Sequence, residues 1–246
     1  MKKIIKQLFL WYLAFVIVKS ILSYFILSPT EFNDGYLYAK MARSFFHELE
    51  LSINNVPIHR YPPLYPIALS ISYMFNDMTT VYLIMKIINS IISSLIIFPA
   101  WLLSREFLTE KKSLLTAILI STIPSSFAYS FFIMAENLAY PLFLFVFYFS
   151  YKSFKEKTYK WNILAGIFIG LSYLTKGLIV LLLPTIAITF LVISFKEGLN
   201  LSEIKRKLTM AISFFIVITP WLLRNLSIFG NSLYGLFGSY STQTPQ

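Results

Sequence analysis

The sequence predicts an all-α polytopic membrane protein: seven transmembrane helices, a cytoplasmic N-terminus, and two external juxtamembrane helices in the first external loop. Three observations predict it. Of the 246 residues, 57% are hydrophobic and only 13% charged, whereas roughly a quarter of a soluble domain is charged. The apolar residues gather into runs close to the roughly 20 residues that cross a bilayer. Fourteen of the 21 Lys and Arg residues fall in four short clusters: Lys2, Lys3, Lys6; Arg105, Lys111, Lys112; Lys152, Lys155, Lys157, Lys160; and Lys196, Lys205, Arg206, Lys207. These clusters occupy every second gap between apolar runs, which is the positive-inside pattern.

That pattern also explains the net charge of +10. In a soluble protein it would point to an acidic partner; here it sits at the inner membrane surface, where it sets topology and meets anionic lipid. Nucleic acid is therefore excluded as a partner. Cysteine is absent, so disulfides and thiolate chemistry are excluded.

The first span is Gln7–Ser28. It is longer than the apolar region of a signal peptide, about 7–15 residues, and has no small-residue cleavage site, so it is expected to be retained. The others are Val81–Leu103, Ser113–Phe131, Leu138–Tyr151, Trp161–Thr175, Leu178–Phe195 and Leu208–Leu223. The short ones are expected to tilt little or to sit where the bilayer is thin. Pro124, Pro141, Pro184 and Pro220 fall in or at the ends of spans, where neighbouring helices can satisfy the freed backbone groups. An eighth apolar segment, Tyr61–Phe75, would put the three later basic clusters outside if it crossed. It is placed instead as an interfacial helix on the outer surface. Residues 1–230 thus form one membrane module with an external loop at 29–80, and residues 231–246 a loose external tail.

Within that loop, Asn33-Asp34 is a good helix start. Leu37, Met41, Ala42, Phe45, Phe46 and Leu49 then form one apolar stripe opposite Lys40, Arg43, His47 and Glu48. This predicts an amphipathic helix in the interface plane. The following His59-Arg60-Tyr61-Pro62-Pro63-Leu64-Tyr65-Pro66 joins a basic pair to a stiff, extended proline pair. Two such helices would roof a cavity between the spans.

Few polar residues carry chemistry. Asp34 reads either as a helix cap or as a base. Glu136, the only charge in the second external loop, reads as a solvated carboxylate or as a functional acid beside two apolar spans. Lys176 and Arg224 end spans at the outer face and read as snorkelling anchors or as ligands. Lys86 and Lys19 lie well inside spans. Metal-ligand spacings, Gly-rich phosphate loops and a Ser-His-Asp set are absent. The sequons at Asn200 and Asn225 lie in the cytoplasm and against the membrane. Two carboxylates and several cations at one face suit group transfer from a lipid-linked phosphate: a carboxylate takes the acceptor proton while cations stabilise the departing phosphate.

These residues resemble the integral-membrane glycosyltransferases of superfamily C, in the branch of protein O-mannosyltransferases and aminoarabinose transferases. The resemblance is carried by Asp34-Gly35-Tyr36-Leu37-Tyr38 after the first span and by Pro62-Pro63-Leu64-Tyr65-Pro66. It continues through Met85-Lys86-Ile87-Ile88-Asn89, Glu136, Gly170-Leu171-Ser172-Tyr173-Leu174-Thr175-Lys176-Gly177 and Pro220-Trp221-Leu222-Leu223-Arg224-Asn225. It implies that Asp34 is the general base of an inverting transfer and that Glu136 orients the acceptor or supports Asp34. It further implies that Lys86, Lys176 and Arg224, with Arg60 or His59, hold the phosphate of a polyprenyl- or dolichyl-phosphate sugar donor. The acceptor would be a hydroxyl of a lipid, glycan or protein. No cofactor is required, and no ligand cluster calls for a divalent metal. Gly35 stands where many relatives carry a second acid, and Tyr61 separates the basic pair from the prolines. Relatives continue for several more spans, so the chain is expected to carry only the shared core module, as a short natural form, a fragment, or one subunit of a larger assembly. The alternative is a non-catalytic scaffold or a lipid-linked sugar transporter on the same fold. The expected location is the plasma membrane, or the endoplasmic reticulum membrane if the protein is eukaryotic, since both obey the same charge rule.

Overall fold

The computed structural model describes residues 2–26, 33–198 and 200–230; the predicted tail at 231–246 lies outside them. Helices dominate. In chain order they are α1 (Lys2–Phe25), α2 (Asn33–Glu48), α3 (Leu64–Ser70, prolonged by a 3-10 turn at Ile71–Met74), α4 (Met78–Ser94), α5 (Ile97–Ser104), α6 (Glu110–Ser121) and α7 (Pro124–Ala128). They continue as α8 (Glu136–Lys155), α9 (Tyr159–Tyr173), α10 (Leu182–Glu197, preceded by a 3-10 turn at Gly177–Leu181) and α11 (Leu201–Phe229). A short hairpin, β1 (Ser52–Ile53) with β2 (Val56–Pro57), lies between α2 and α3.

Each of the seven apolar runs falls on a helical segment. Among the described residues four helices are long and apolar enough to cross a membrane: Lys3–Phe25, Met78–Ser104, Gly177–Lys196 and Leu201–Phe229. A fifth is reached if α6 and the segment Pro124–Phe131, bent by 58° from it, count as one span. The bend has a cause: Pro124 opens α7 at its first position and cannot donate a backbone bond into the helix before it. The apolar helix Leu64–Met74 has 11 residues, about 16 Å at helical rise, against a hydrocarbon core of roughly 30 Å. It is too short to cross.

The chain divides into two compact units, the first made of residues up to 58 with 63–144, the second of 59–62 with those from 145 onward. In the first, α1 packs on α4 and α5 on α6. Leu8, Phe15, Ile97, Ala100, Trp101 and Ala117 form its core. Asp77 caps α4, its Oδ2 accepting from Thr80 N at 2.8 Å; that backbone bond holds its carboxyl below the usual range.

Helix α2 is where predicted, and its buried face shares Met41 and Ala42 with the predicted stripe. Gly35, Tyr38 and Ala39 are buried as well, while Phe46 and Leu49 of the stripe are exposed. Helix α2 packs on α3, where Tyr38 meets Tyr65 edge-on at 5.1 Å. Leu49 leaves the stripe because it ends the helix in the left-handed region, at φ 56°. The hairpin turns through Asn54 and Asn55, both with positive φ (51° and 65°), as a two-residue turn between short strands requires.

In the second unit α9 lies along α11. A Cβ on Gly166 would sit 2.1 Å from Met210 O, and one on Gly170 would sit 2.8 Å from Val217 Cβ. Residue numbers rise together along both helices, so they run parallel. Close approach through small residues is the usual packing of helices in lipid, where no hydrophobic force drives them together. Phe149 stacks on Trp161 at 5.9 Å and tilts against Phe168 at 4.8 Å. At the opposite end from Arg224, Lys152 pairs with Glu156 and Arg206 with Glu203. Asn200, read as a sequon, caps α11 by accepting from Ser202 N at 2.9 Å.

Candidate active site

In the first unit the two candidate acids stand at helix starts. Asp34 is exposed in the first turn of α2, where the helix dipole favours a carboxylate. Glu136 opens α8 and is half-buried. Its neighbour Asn137 is buried, and its Nδ2 donates to Tyr129 O (2.9 Å), Phe132 O (3.1 Å) and Met134 O (3.0 Å). That one amide ties down the whole turn leading to Glu136.

The same turn is fastened to the proline element. Tyr65, fully buried, donates from its hydroxyl to Asn89 Oδ1 at 2.8 Å, and Asn89 Nδ2 donates to Phe132 O at 2.8 Å. Burial pushes the Tyr65 phenol far above its ordinary range, and the Glu136 carboxylate adds to the shift. It therefore stays protonated and remains a donor. Tyr73 is likewise pushed up to about 12, first by burial, and donates to Ala39 O at 2.9 Å.

Lys86 is buried in α4. Its ammonium donates to Ser23 O at 2.8 Å and to Ile26 O, at the C-terminal end of α1, where carbonyls lack helical partners and the dipole is negative. An ammonium has three donors, so one remains beyond these two carbonyls. Lys19, also buried, donates to Ser93 Oγ at 2.9 Å and lies 5.5 Å from the Phe127 ring centre.

In the second unit three candidate cations converge near the end of α11. His59 packs its ring 4.8 Å from that of Phe229. The Arg224 guanidinium lies 4.9 Å from the Trp221 ring and 5.9 Å from that of Phe229. It also donates to Asn225 Oδ1 at 3.1 Å, and Asn225 is completely buried. The His59 imidazole is held below its ordinary pKa first by burial, then by the charges of Arg60 and Arg224. That shift is the signature of three basic groups within electrostatic reach. Lys176 follows α9 and is half-buried. Because α9 and α11 run parallel, it lies at the same end of the unit as Arg224.

His59, Arg60 and Arg224 are thus brought together; Asp34, Lys86 and Glu136 stand on α2, α4 and α8 of the first unit. Among the described residues no three His, Asp or Glu side chains converge as metal ligands. Sequence reasoning missed Tyr65, Asn89, Asn137 and Asn225 as builders of the site, although Tyr65, Asn89 and Asn225 lie inside the motifs it quoted and Asn137 directly follows Glu136.

No curated protein sequence matches the chain. The family model described as dolichyl-phosphate-mannose-protein mannosyltransferase matches residues 60–223, roughly two thirds of the chain. Arg60, Lys86, Glu136 and Lys176 fall inside the match; His59 and Arg224 flank it by one residue each, and Asp34 precedes it. The chain belongs to the dolichyl-phosphate-mannose-protein mannosyltransferase family.

Proposed function

We propose that the protein is a membrane glycosyltransferase that moves a sugar from a polyprenyl- or dolichyl-phosphate donor to a hydroxyl of a lipid, glycan or protein acceptor. The reaction takes place on the external face of the membrane, the plasma membrane in this reading. The observation that carries it is the family match over residues 60–223. Seven spans with the basic clusters inside would put Asp34, Glu136, Lys176 and Arg224 at the external face, and the alternation of those clusters supports that topology.

Asp34 takes the proton of the acceptor hydroxyl as its oxygen attacks the anomeric carbon from the side opposite the phosphate. The bond from that carbon to the phosphate oxygen breaks, its electron pair stays with the phosphate, and the anomeric centre inverts. The leaving group gains a negative charge in this step. Cations beside it therefore bind the transition state more tightly than the ground state, which is what accelerates a reaction. Arg60, Arg224 and Lys176 supply those cations, their density at one end of the second unit being the feature that suits a polyprenyl phosphate, and the His59 imidazole beside them offers a hydrogen bond rather than a charge. Lys86 keeps a third N–H for the donor, and Glu136 orients the acceptor or supports Asp34.

The test is sugar transfer in proteoliposomes from a panel of radiolabelled polyprenyl-phosphate sugars, with Asp34→Asn alongside. Transfer is expected from at least one donor and should fall by about 10²–10⁴ in the variant, the usual worth of a general base. Undiminished turnover in Asp34→Asn removes the base assignment. A wild-type protein inert with every donor favours the scaffold reading instead.

A further inference from the structure

The polar face of α2 has no part in that reaction scheme, yet it lines a cavity of about 460 Å³ closed on the other side by the β-hairpin. This is within the usual size range of small-molecule sites. Lys40, Arg43 and His47 recur along α2 at spacings of three and four, so all three stand on the side opposite the buried Tyr38 and Ala42. Glu48 is the single carboxylate in the lining.

Lys40 donates to Asn54 Oδ1 and lies 4.7 Å from the Tyr36 ring centre. This fixes the ammonium with two N–H groups remaining and leaves the Asn54 Nδ2 group as a donor. Glu48 accepts from Ser44 at 3.3 Å, and Ser44 and Ser52 share a hydrogen bond of 2.7 Å. Arg43 is exposed, and among the described residues its guanidinium makes no hydrogen bond or ion pair. Two cations, a histidine and the Asn54 amide against one carboxylate make the lining rich in donors and net positive, and such a cavity recognises an oxyanion.

We propose that this cavity binds a phosphate ester, gripped by the Arg43 guanidinium and the Lys40 ammonium, with the Asn54 amide and His47 at its edge. Charge-assisted bonds of this kind are about twice as strong as neutral ones. The phosphate belongs either to a soluble molecule or to a lipid headgroup, and the chemistry that holds it is the same. The proposal does not rest on sugar transfer and stands or falls separately from it.

The experiment is hydrogen exchange at the amides of residues 40–55 in the full chain, reconstituted into nanodiscs. In one arm the discs are neutral phosphatidylcholine and sn-glycerol 3-phosphate is titrated in. In the other, phosphatidylglycerol replaces part of the neutral lipid. Protection in the first arm identifies a soluble phosphate ester as the ligand; protection in the second alone identifies a lipid headgroup. Either supports the site, provided the apparent affinity weakens about tenfold or more in both Arg43→Gln and Lys40→Gln while exchange elsewhere is unchanged. No protection in either arm, or protection that survives both substitutions, overturns it.

Discussion

Replacing Gly166 with alanine tests the packing that holds the second unit together. The added methyl would lie 2.1 Å from Met210 O, 2.9 Å from Ser213 Cβ and 3.0 Å from Met210 C. Two of these are backbone atoms of α11 and cannot rotate away. Ordinary contact is near 3.5 Å, so the helices must separate by about 1 Å. A gap of 0.5–1 Å forfeits roughly a quarter to a half of each dispersion contact it opens, and dispersion is the main attraction between helices in lipid. Overpacking typically costs about 1–3 kcal/mol, a clash this short with backbone atoms belongs in the upper part of that range, about 2–3 kcal/mol, and the better helix propensity of alanine returns about 1 kcal/mol. The net loss is then about 1–2 kcal/mol. At about 2–4 °C per kcal/mol for a chain of this size, Tm falls by about 2–8 °C. Tryptophan fluorescence follows the unfolding of detergent-solubilised protein directly, since Trp161 and Trp221 lie on the two helices concerned. The same displacement moves Lys176 relative to Arg224, so the KM for the donor should rise as well. A Tm equal to or above that of wild type would show that α9 and α11 do not meet at this distance.

Three further predictions concern the polar groups. Tyr65→Phe leaves Asn89 Oδ1 without its donor in a fully buried site and should cost about 1–3 kcal/mol. The double variant Tyr65→Phe with Asn89→Leu should cost less than the sum of the singles, because Asn137 still serves Phe132 O; strict additivity in thermal unfolding refutes the linkage. Lys86→Met should destabilise the fold by about 2–3 kcal/mol through loss of charged hydrogen bonds to the end of α1. Lys86→Gln should restore much of that stability but not donor affinity, and recovery of both would end the phosphate role. The folded protein holds His59 below the 6.5 of a free imidazole, so its contribution to stability is complete above that value. It is lost as pH falls through 6.5 toward the lower folded pKa, where the unfolded chain takes up the proton first. Comparing Tm at pH 7.5 and 5.5, the acid-side loss should shrink in His59→Gln; an unchanged loss places the titrating group elsewhere.

Much of the architecture was legible because lipid permits little else. A backbone in hydrocarbon must satisfy itself, so every long apolar run is a helix, as Val81–Leu103 is within Met78–Ser104. Two levels were hidden. The buried face of α2 was read from large apolar side chains, yet Phe46 and Leu49 are exposed while Gly35 and Ala39 are buried. Apolar scales reward side-chain size and miss its absence. The hairpin had a signal, the Asn54-Asn55 pair between β-branched residues, and a period-2 reading of so short a segment passes over it. The convergence of His59 and Arg60 with Arg224 was implied by the resemblance alone, since more than 160 residues of chain separate them and no local pattern joins them.

The partners of the charged residues were hidden for a different reason: most are backbone carbonyls or amides with no letter of their own in a motif. Asn137 stands beside Glu136, Asn225 beside Arg224, and Asn89 one turn after Lys86, each buried and each hydrogen-bonded. An amide donates and accepts without carrying charge, so it can be buried in a membrane protein at far lower cost than an ion. Placing it next to the ion lets the amide secure the backbone, or hold the head group itself, while the ion keeps its charge for a ligand. Asn137 does the first for the turn before Glu136 and Asn225 the second for Arg224. Lys86 breaks the division: two of its three donors hold α1 in place. Any phosphate it binds is therefore coupled to the position of the first helix, and through that helix to the chain that leads on to Asp34.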